Sequence, residues 1–293
     1  MYKTLVPGTI PVPELHQYLL GSINPRPIAF VATVGADGSH NLSPFSFFNV
    51  FSANPPIVVF SPARRGRDNT TKHTYENLKL NGECTVNIVN YNMVHQMVLS
   101  STEYEQGEDE FVRAGFTKIA SENVAPPRVA ESPSQMECRV RDIINYGELA
   151  GGGNLIIAEV VKMHVKEDIL DENGKIDQLK IDTVGRCGKN YYSRPSASLF
   201  TIDNPKGTDN IGYNGLPEFI KNSPILSGND LGQLGKISEM PSQESIKELV
   251  SKNPDLNTIL SENGSDHRLH TFAKKLIAEG KVESALKVLL AKN

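Results

Sequence analysis

The first two-thirds of the chain contains a series of short apolar, β-branched runs, and these restrict the fold more than any other feature. An Asp-Gly pair of the kind that closes hairpins follows the first run, and a Pro-Pro pair suits the start of another, because proline removes a ladder donor from a strand's middle. About six strands with few helices predict a β barrel. The expected strands are residues 28–34, one through Asn41, and residues 57–60, 84–89, 137–144 and 155–165.

Two short helices are predicted between these strands. One spans residues 74–80 and ends at Gly82, and the other spans residues 93–100, where apolar residues recur at helical spacing. Residues 102–133 are polar and interrupted by prolines, so a long excursion is expected there. Such excursions often cover an active site or a neighbouring subunit.

The chain has 293 residues, more than the commonest size of a single domain. The pattern of apolar residues changes after Pro205. Residues 1–205 are expected to form the β domain and residues 206–293 a helical C-terminal extension. Within the extension we expect a helix start at residues 216–220, a turn at 228–232 and a helix cap at Ser242. Apolar residues at i, i+3 and i+4 on both sides of Gly280 predict an α-helical hairpin.

Charge and composition exclude some classes of partner. Thirty basic and thirty-four acidic side chains give a formal charge of −4 without a basic cluster, so nucleic acid is not an expected partner. The chain has no run of membrane-spanning length and no signal-like apolar start, so we expect a cytoplasmic protein with no membrane partner. Three scattered cysteines indicate free buried thiols, and no metal site is expected.

The segment from Ser61 to Thr74 has the composition of an anion site. Lys72 and Thr74 lie where a long loop meets a predicted helix, so a cation, a hydroxyl and the helix dipole converge there. A phosphate needs such groups in a partly desolvated groove. Arg64 and Arg65 in the same loop are further candidates, although a solvated loop charge is an equally good interpretation for either.

A second segment, around Pro44, combines hydroxyls with aromatic side chains. The missing N–H of Pro44 predicts that the chain leaves a strand there and that neighbouring amides face a ligand. The alternative for these phenylalanines is a place in the core, and either Phe47 or Phe48 must face inward because strand side chains alternate.

Together these segments resemble the flavin reductase-like family of FMN-binding split barrels, which includes flavoredoxins. The resemblance is carried by N-P-R-P at residues 24–27, N-L-S-P-F-S-F-F at residues 41–48, and K-x-T at residues 72–74. It covers about two hundred residues and implies an antiparallel split β-barrel that binds FMN at a homodimer interface. The implied reaction is hydride transfer from NADH or NADPH to flavin, with a monooxygenase or another protein as electron acceptor.

The resemblance also implies roles for individual residues. Lys72 and Thr74 would hold the phosphate and Arg26 would approach it, whereas residues of the second segment would contact the flavin ring. His73 stands where the family has Asp, and Cys187 where it more often has an aliphatic residue. The implied cofactor-binding residues are Arg26, Asn41, Ser43, Phe45, Ser46, Asn49, Ser61, Arg64, Lys72 and Thr74.

His164 matches a family histidine near the expected nicotinamide position, but a lone histidine is more often structural. Direct hydride transfer requires no catalytic acid from the protein, because the task of the protein is alignment. The main alternative is a non-enzymatic FMN-binding electron carrier whose helical tail docks a partner. A pyridoxamine phosphate oxidase-like enzyme would need further basic residues for a second phosphate, and the sequence does not provide them.

Overall fold

The computed structural model describes residues 1–105, 107–202, 204–205, 211–262 and 266–292. The chain divides into two compact units, Met1–Leu199 and Phe200–Asn293. No helix in the described ranges is both long and apolar enough to cross a lipid bilayer.

The first unit is built on a seven-stranded antiparallel sheet, which confirms the mainly β prediction. In spatial order the sheet is β2-β1-β5-β8-β9-β4-β3. Two separate pairs of short antiparallel strands are also present in the described part of this unit. One pairs β6 (Lys118–Ile119) with β7 (Arg128–Val129), and the other pairs β10 (Gly185–Arg186) with β11 (Tyr192–Ser193). The sheet strands are β1 (Ala29–Val34), β2 (His40–Phe45), β3 (Phe48–Ala53), β4 (Pro56–Phe60), β5 (Glu83–Ile88), β8 (Ser134–Tyr146) and β9 (Gly153–Val165).

Strand β1 explains why a continuous apolar run marks the first strand. Ala29 and Val31 pack in one core cluster, whereas Phe30 and Ala32 pack in another. Because successive side chains point to opposite faces, both faces of β1 are buried and no polar alternation is needed. The strand therefore forms part of both cores of the first unit.

The described residues of the first unit form five α-helices, and two of them were expected from the sequence. Helix α2 ends at Gly82, whose φ of 66° is readily adopted by glycine. A short 3-10 turn, Tyr91–Met93, leads into α3, whose Val94 and Met97 are buried. The helices are α1 (Val12–Ser22), α2 (His73–Asn81), α3 (Val94–Leu99), α4 (Glu110–Ala114) and α5 (Gln178–Ile181).

The prediction that the chain leaves its strand at Pro44 is wrong. Pro44 lies inside β2, opposite Phe30 of β1. The proline is tolerated because β2 is an edge strand: the N–H of Leu42, two residues earlier, points outward and donates to Glu110 Oε2 at 3.0 Å. The missing N–H of Pro44 faces the same outer side, so no bond to β1 is lost.

The second unit is helical and has its own apolar core, and the predicted C-terminal hairpin is confirmed by α10 and α11, which pack together. The expected turn at residues 228–232 is wrong, because these residues begin a helix. Ser227 accepts from the N–H of Asp230, and the Asp230 carboxylate accepts from the N–H of Ser227, so a capping box offsets the two glycines. The helices are α6 (Glu218–Lys221), α7 (Gly228–Leu234), α8 (Gln243–Ser251), α9 (Pro254–Ser261), α10 (Asp266–Ala278) and α11 (Val282–Leu290).

Candidate functional site

A cavity of about 320 Å³ in the first unit brings together most of the residues singled out in the sequence. Its wall includes the C-terminal part of β2, the beginning of the loop after β4, and the residue that precedes α2. Seven of the expected cofactor-binding residues line it: Arg26, Asn41, Ser43, Phe45, Ser46, Ser61 and Lys72.

The loop between β4 and α2 is held in place by its own side chains. The Arg64 guanidinium donates to Asn69 Oδ1 at 2.8 Å and to the Asn69 carbonyl at 2.6 Å. The Ser61 hydroxyl accepts from the N–H of Asn154 at 3.1 Å, which joins the loop to β9. Arg64 therefore fixes the loop conformation and does not line the cavity.

Arg65 and Lys72 supply positive charge on the side of the cavity beside α2. Arg65 donates to Thr70 Oγ1 at 3.0 Å and to the Thr71 carbonyl, so its guanidinium is oriented by the loop. Burial lowers the pKa of Lys72, and the nearby Arg65 charge lowers it further. Two cations held this close favour an anion between them.

A single carboxylate, Glu103, contacts both of these cations. Its Oε1 lies 3.2 Å from Arg65 Nε and 3.7 Å from Lys72 Nζ, and its Oε2 lies 3.1 Å from Arg67 Nη2. Glu103 belongs to the long excursion after α3 and also lines the cavity. The anion position beside Lys72 is thus bordered by a residue that the sequence did not indicate.

Arg26 is buried in the cavity wall, and its donors have partners within the protein. Its Nη1 donates to the carbonyls of Leu20 and Ile23, at 3.0 and 2.8 Å, and its Nη2 donates to that of Cys187 at 3.3 Å. Its Nε lies 3.4 Å from Ser46 Oγ. Burial and the neighbouring Arg186 lower the pKa of Arg26. The guanidinium joins the end of α1 to the segment around Cys187.

Thr74 is fully buried and acts on the cavity through Asn41. Its hydroxyl donates to Asn41 Oδ1 at 2.6 Å, and Asn41 Nδ2 donates to Glu110 Oε1 at 2.8 Å. Burial raises the pKa of Glu110. This chain of hydrogen bonds fixes the orientation of the Asn41 amide, which lines the cavity together with Glu110.

The aromatic residues at the end of β2 divide between the core and the cavity. Phe45 lines the cavity while stacking on Phe60 with ring centroids 5.9 Å apart. Phe48 packs against the core, whereas Phe47 is 41% exposed and lines the cavity. The expected alternation of Phe47 and Phe48 is therefore confirmed.

Asn49 and His164 do not line the cavity. Asn49 is exposed, and its Oδ1 accepts from the N–H of Val50 at 2.8 Å. His164 Nε2 lies 2.8 Å from Oε1 of Glu137, a fully buried carboxylate that also accepts from the N–H groups of Glu122 and Asn123. His164 thus contacts this buried carboxylate, and its Nδ1 lies 3.9 Å from Oε1 of Glu122.

Several lining residues were not identified from the sequence. His16 and Leu20 come from α1, and Lys189 comes from the segment around β10, in which the sequence marked Cys187 only as a departure from the family pattern. Ser100 is 1% exposed, and its Oγ has no hydrogen-bond partner in the described part of the chain. No motif marks Ser100, and α1 has no buried residue that would give it a periodic apolar face.

The family and structural comparisons agree with this geometry. The family model for the flavin reductase like domain matches residues 20–180, which include every cavity residue described above except His16, Arg186, Cys187 and Lys189. A protein of Halalkalibacterium halodurans is 35% identical over 208 residues, and the match covers 70% of this chain and 98% of the Halalkalibacterium protein.

Two solved structures show the same split-barrel architecture. Nitrilotriacetate monooxygenase component B from Bacillus cereus is 29% identical with a TM-score of 0.64, covering 70% of this chain and 98% of its own. Flavoredoxin of Desulfovibrio vulgaris is 21% identical with a TM-score of 0.53, covering 69% of this chain and 97% of its own, and supports the fold alone. The chain therefore belongs to the flavin reductase-like family of split-barrel flavoproteins and is a flavin-related oxidoreductase.

Proposed function

We propose that this protein binds FMN in the cavity and transfers a hydride from NADH or NADPH to the flavin. The observation that carries the proposal is the presence, in one cavity, of the paired cations Arg65 and Lys72 together with the hydroxyl and aromatic side chains of β2. A phosphate ester attached to a flat ring needs both kinds of group.

The phosphate is assigned to the cations and hydroxyls beside α2. Lys72 is the N-cap residue of this helix, and no side chain caps the first N–H groups of the helix. These N–H groups and the Lys72 ammonium therefore both favour an anion at this position. Ser61 contributes a hydroxyl from the anchored loop. Thr74 holds Asn41 and does not contact the phosphate directly.

The flavin ring is assigned to the wall formed by β2. Ser43 and Ser46 provide hydroxyls, and Phe45 and Phe47 provide an apolar surface. In the described residues the outer edge of β2 pairs with no strand, and Pro44 on this edge also lines the cavity. The buried Ser100 hydroxyl fits the same assignment, since a buried polar atom without a partner is explained by a bound ligand or water.

Bound FMN would supply the electron-accepting ring, and the task of the protein is to bind and orient the reactants. Rigid anchoring of the β4–α2 loop and of Asn41 positions the groups that hold the flavin, which lowers the entropic cost of alignment. His164 lies outside the cavity wall, so the proposal gives it no proton-transfer role.

The direct experiment is to measure NADH and NADPH oxidation by the purified protein with FMN added. Steady oxidation of either nicotinamide that depends on added FMN supports the reductase. A protein that binds FMN but oxidises neither nicotinamide supports the alternative, a non-enzymatic electron carrier. The helical unit of residues 200–293 favours this alternative because it could dock a partner protein.

We also propose a homodimer and an electron-accepting partner, as the family resemblance implies. Large apolar side chains of the first unit, among them Val50, Phe51, Tyr146 and Leu149, are at least 64% exposed in the single chain. Burial of such side chains in a second copy would remove their apolar area from water. Light scattering on the purified protein tests the dimer, and the related component B from Bacillus cereus makes a monooxygenase the first acceptor to test.

A further inference from the structure

The Glu103 carboxylate is at the centre of a cation cluster formed by Arg65, Arg67 and Lys72. Both of its oxygens are engaged, at 3.1 to 3.7 Å from the three cationic groups. Arg65 and Lys72 line the cavity with Glu103, whereas Arg67 is mostly exposed and does not line it. A negative charge supplied by the chain itself thus contacts the cations to which the flavin phosphate is assigned.

We propose that Glu103 competes with the phosphate of FMN for Arg65 and Lys72, and so reduces the preference of the protein for FMN over unphosphorylated riboflavin. The inference rests on the proposed FMN site. A phosphate monoester carries between one and a half and two negative charges, roughly, at neutral pH. A carboxylate and a phosphate that share the same two cations repel each other, so FMN binds by displacing Glu103.

The surroundings of Glu103 allow this displacement. Its side chain is 41% exposed, and rotation into water restores the hydration of the carboxylate. Arg65 stays oriented without it, because the guanidinium also donates to Thr70 and Thr71. Loss of the Glu103 contacts therefore leaves the Arg65 guanidinium in place for the phosphate.

The displacement affects FMN and riboflavin differently. Binding of FMN replaces the ion pairs of Glu103 with phosphate contacts, so only the difference between the two sets contributes to affinity. Riboflavin has no phosphate and leaves Glu103 in place. The consequence is a smaller preference for FMN over riboflavin than Arg65 and Lys72 would give without Glu103.

The test compares wild type with Glu103→Gln, which keeps the side-chain shape and removes the charge. Binding of FMN and of riboflavin is measured separately by quenching of flavin fluorescence at several salt concentrations. FMN should bind about tenfold more tightly to the variant, equivalent to about 1.4 kcal/mol, with a steeper salt dependence, whereas riboflavin affinity stays within about twofold. Glu105→Gln, the same charge change two residues away, is the matched control and should alter neither affinity.

The possible outcomes separate this inference from the proposed function. Weaker or unchanged FMN binding by Glu103→Gln would overturn the inference, because Glu103 would then organise the cations or have no effect on the phosphate. Equal tightening for both flavins would overturn it as well. Failure of the wild-type protein to bind either flavin would instead overturn the proposed function, and this inference with it.

Discussion

Replacement of Lys72 by alanine should weaken FMN binding far more than riboflavin binding. Lys72 Nζ is the cation at the start of α2, and its position 3.7 Å from Glu103 Oε1 shows that it reaches an anion in the cavity. Riboflavin lacks the phosphate that this ammonium would contact. The ratio of the two affinities therefore isolates the contribution of Lys72 to phosphate binding from any general effect on the cavity.

The magnitude follows from the environment of Lys72. A hydrogen bond to a charged group contributes about 1.5–3 kcal/mol, and a side chain that is 32% exposed is partly screened by solvent, which places Lys72 at the lower end. Displacement of Glu103 offsets part of the gain. We expect the dissociation constant of FMN to rise by roughly tenfold, corresponding to about 1.4 kcal/mol, and that of riboflavin by less than about threefold.

The assay is titration of each purified protein with FMN and with riboflavin, followed by flavin fluorescence. Lys79→Ala is the matched control, because Lys79 is on the same helix, carries the same charge and does not line the cavity. The control should change neither affinity. Equal losses of FMN and riboflavin affinity in Lys72→Ala would refute the phosphate assignment, as would unchanged FMN binding.

Four further predictions concern other parts of the chain. His164→Ala should keep flavin reduction within about tenfold of wild type, or about 1.4 kcal/mol of barrier, because His164 contacts Glu137 outside the cavity. A large loss of turnover with intact flavin binding would contradict its structural assignment. Although burial alone would raise the pKa of Glu137, hydrogen bonds from backbone N–H groups and from His164 lower it below its ordinary value of 4.5. The ionised carboxylate thus stabilises the fold above pH 4.5. The difference in the free energy of unfolding between wild type and Glu137→Gln should shrink as the pH falls below 4.5. A difference that is independent of pH would count against this. Gly185→Ala would place a Cβ 2.6 Å from a proline carbon and should destabilise the first unit by about 1–3 kcal/mol in thermal unfolding, whereas Gly188→Ala, with a nearest contact of 3.6 Å, should have a smaller effect. Equal shifts in melting temperature would show that this close contact does not determine the packing there. Leu286→Ala removes a fully buried side chain from the helical core and should destabilise the second unit by about 2–5 kcal/mol without changing FMN affinity, which titration and unfolding of the same preparation would measure.

The sheet was predictable because burial of its strands requires apolar residues, and these are visible in the sequence. Strand β1 packs on both faces, so its residues form a continuous β-branched and apolar run. The place of Pro44 was not predictable, because tolerance of proline depends on which side of an edge strand lacks a partner. Helix α7 was missed since its two glycines indicate a turn, whereas its capping box depends on contacts between Ser227 and Asp230.

Sequence motifs mark some of the residues that line the cavity, whereas only the tertiary fold brings the others to it. Lys72, Ser43 and Ser46 stand in recognisable segments and line one cavity. Ser100 follows α3 and Glu103 lies in the polar excursion, neither belongs to a motif, and only the fold brings them to the cavity. The same applies to Thr74, whose hydroxyl was expected at a ligand and instead orients a neighbouring amide.

The most direct test of the central claim is identification of the flavin that the purified protein binds. The protein is mixed with FMN, freed of unbound flavin and denatured, and the released flavin is identified chromatographically and quantified against protein. The account predicts a yellow protein that releases FMN in a ratio approaching one per chain, and a much lower ratio for Lys72→Ala. A colourless wild-type protein that retains no FMN at concentrations well above those of the protein would contradict it.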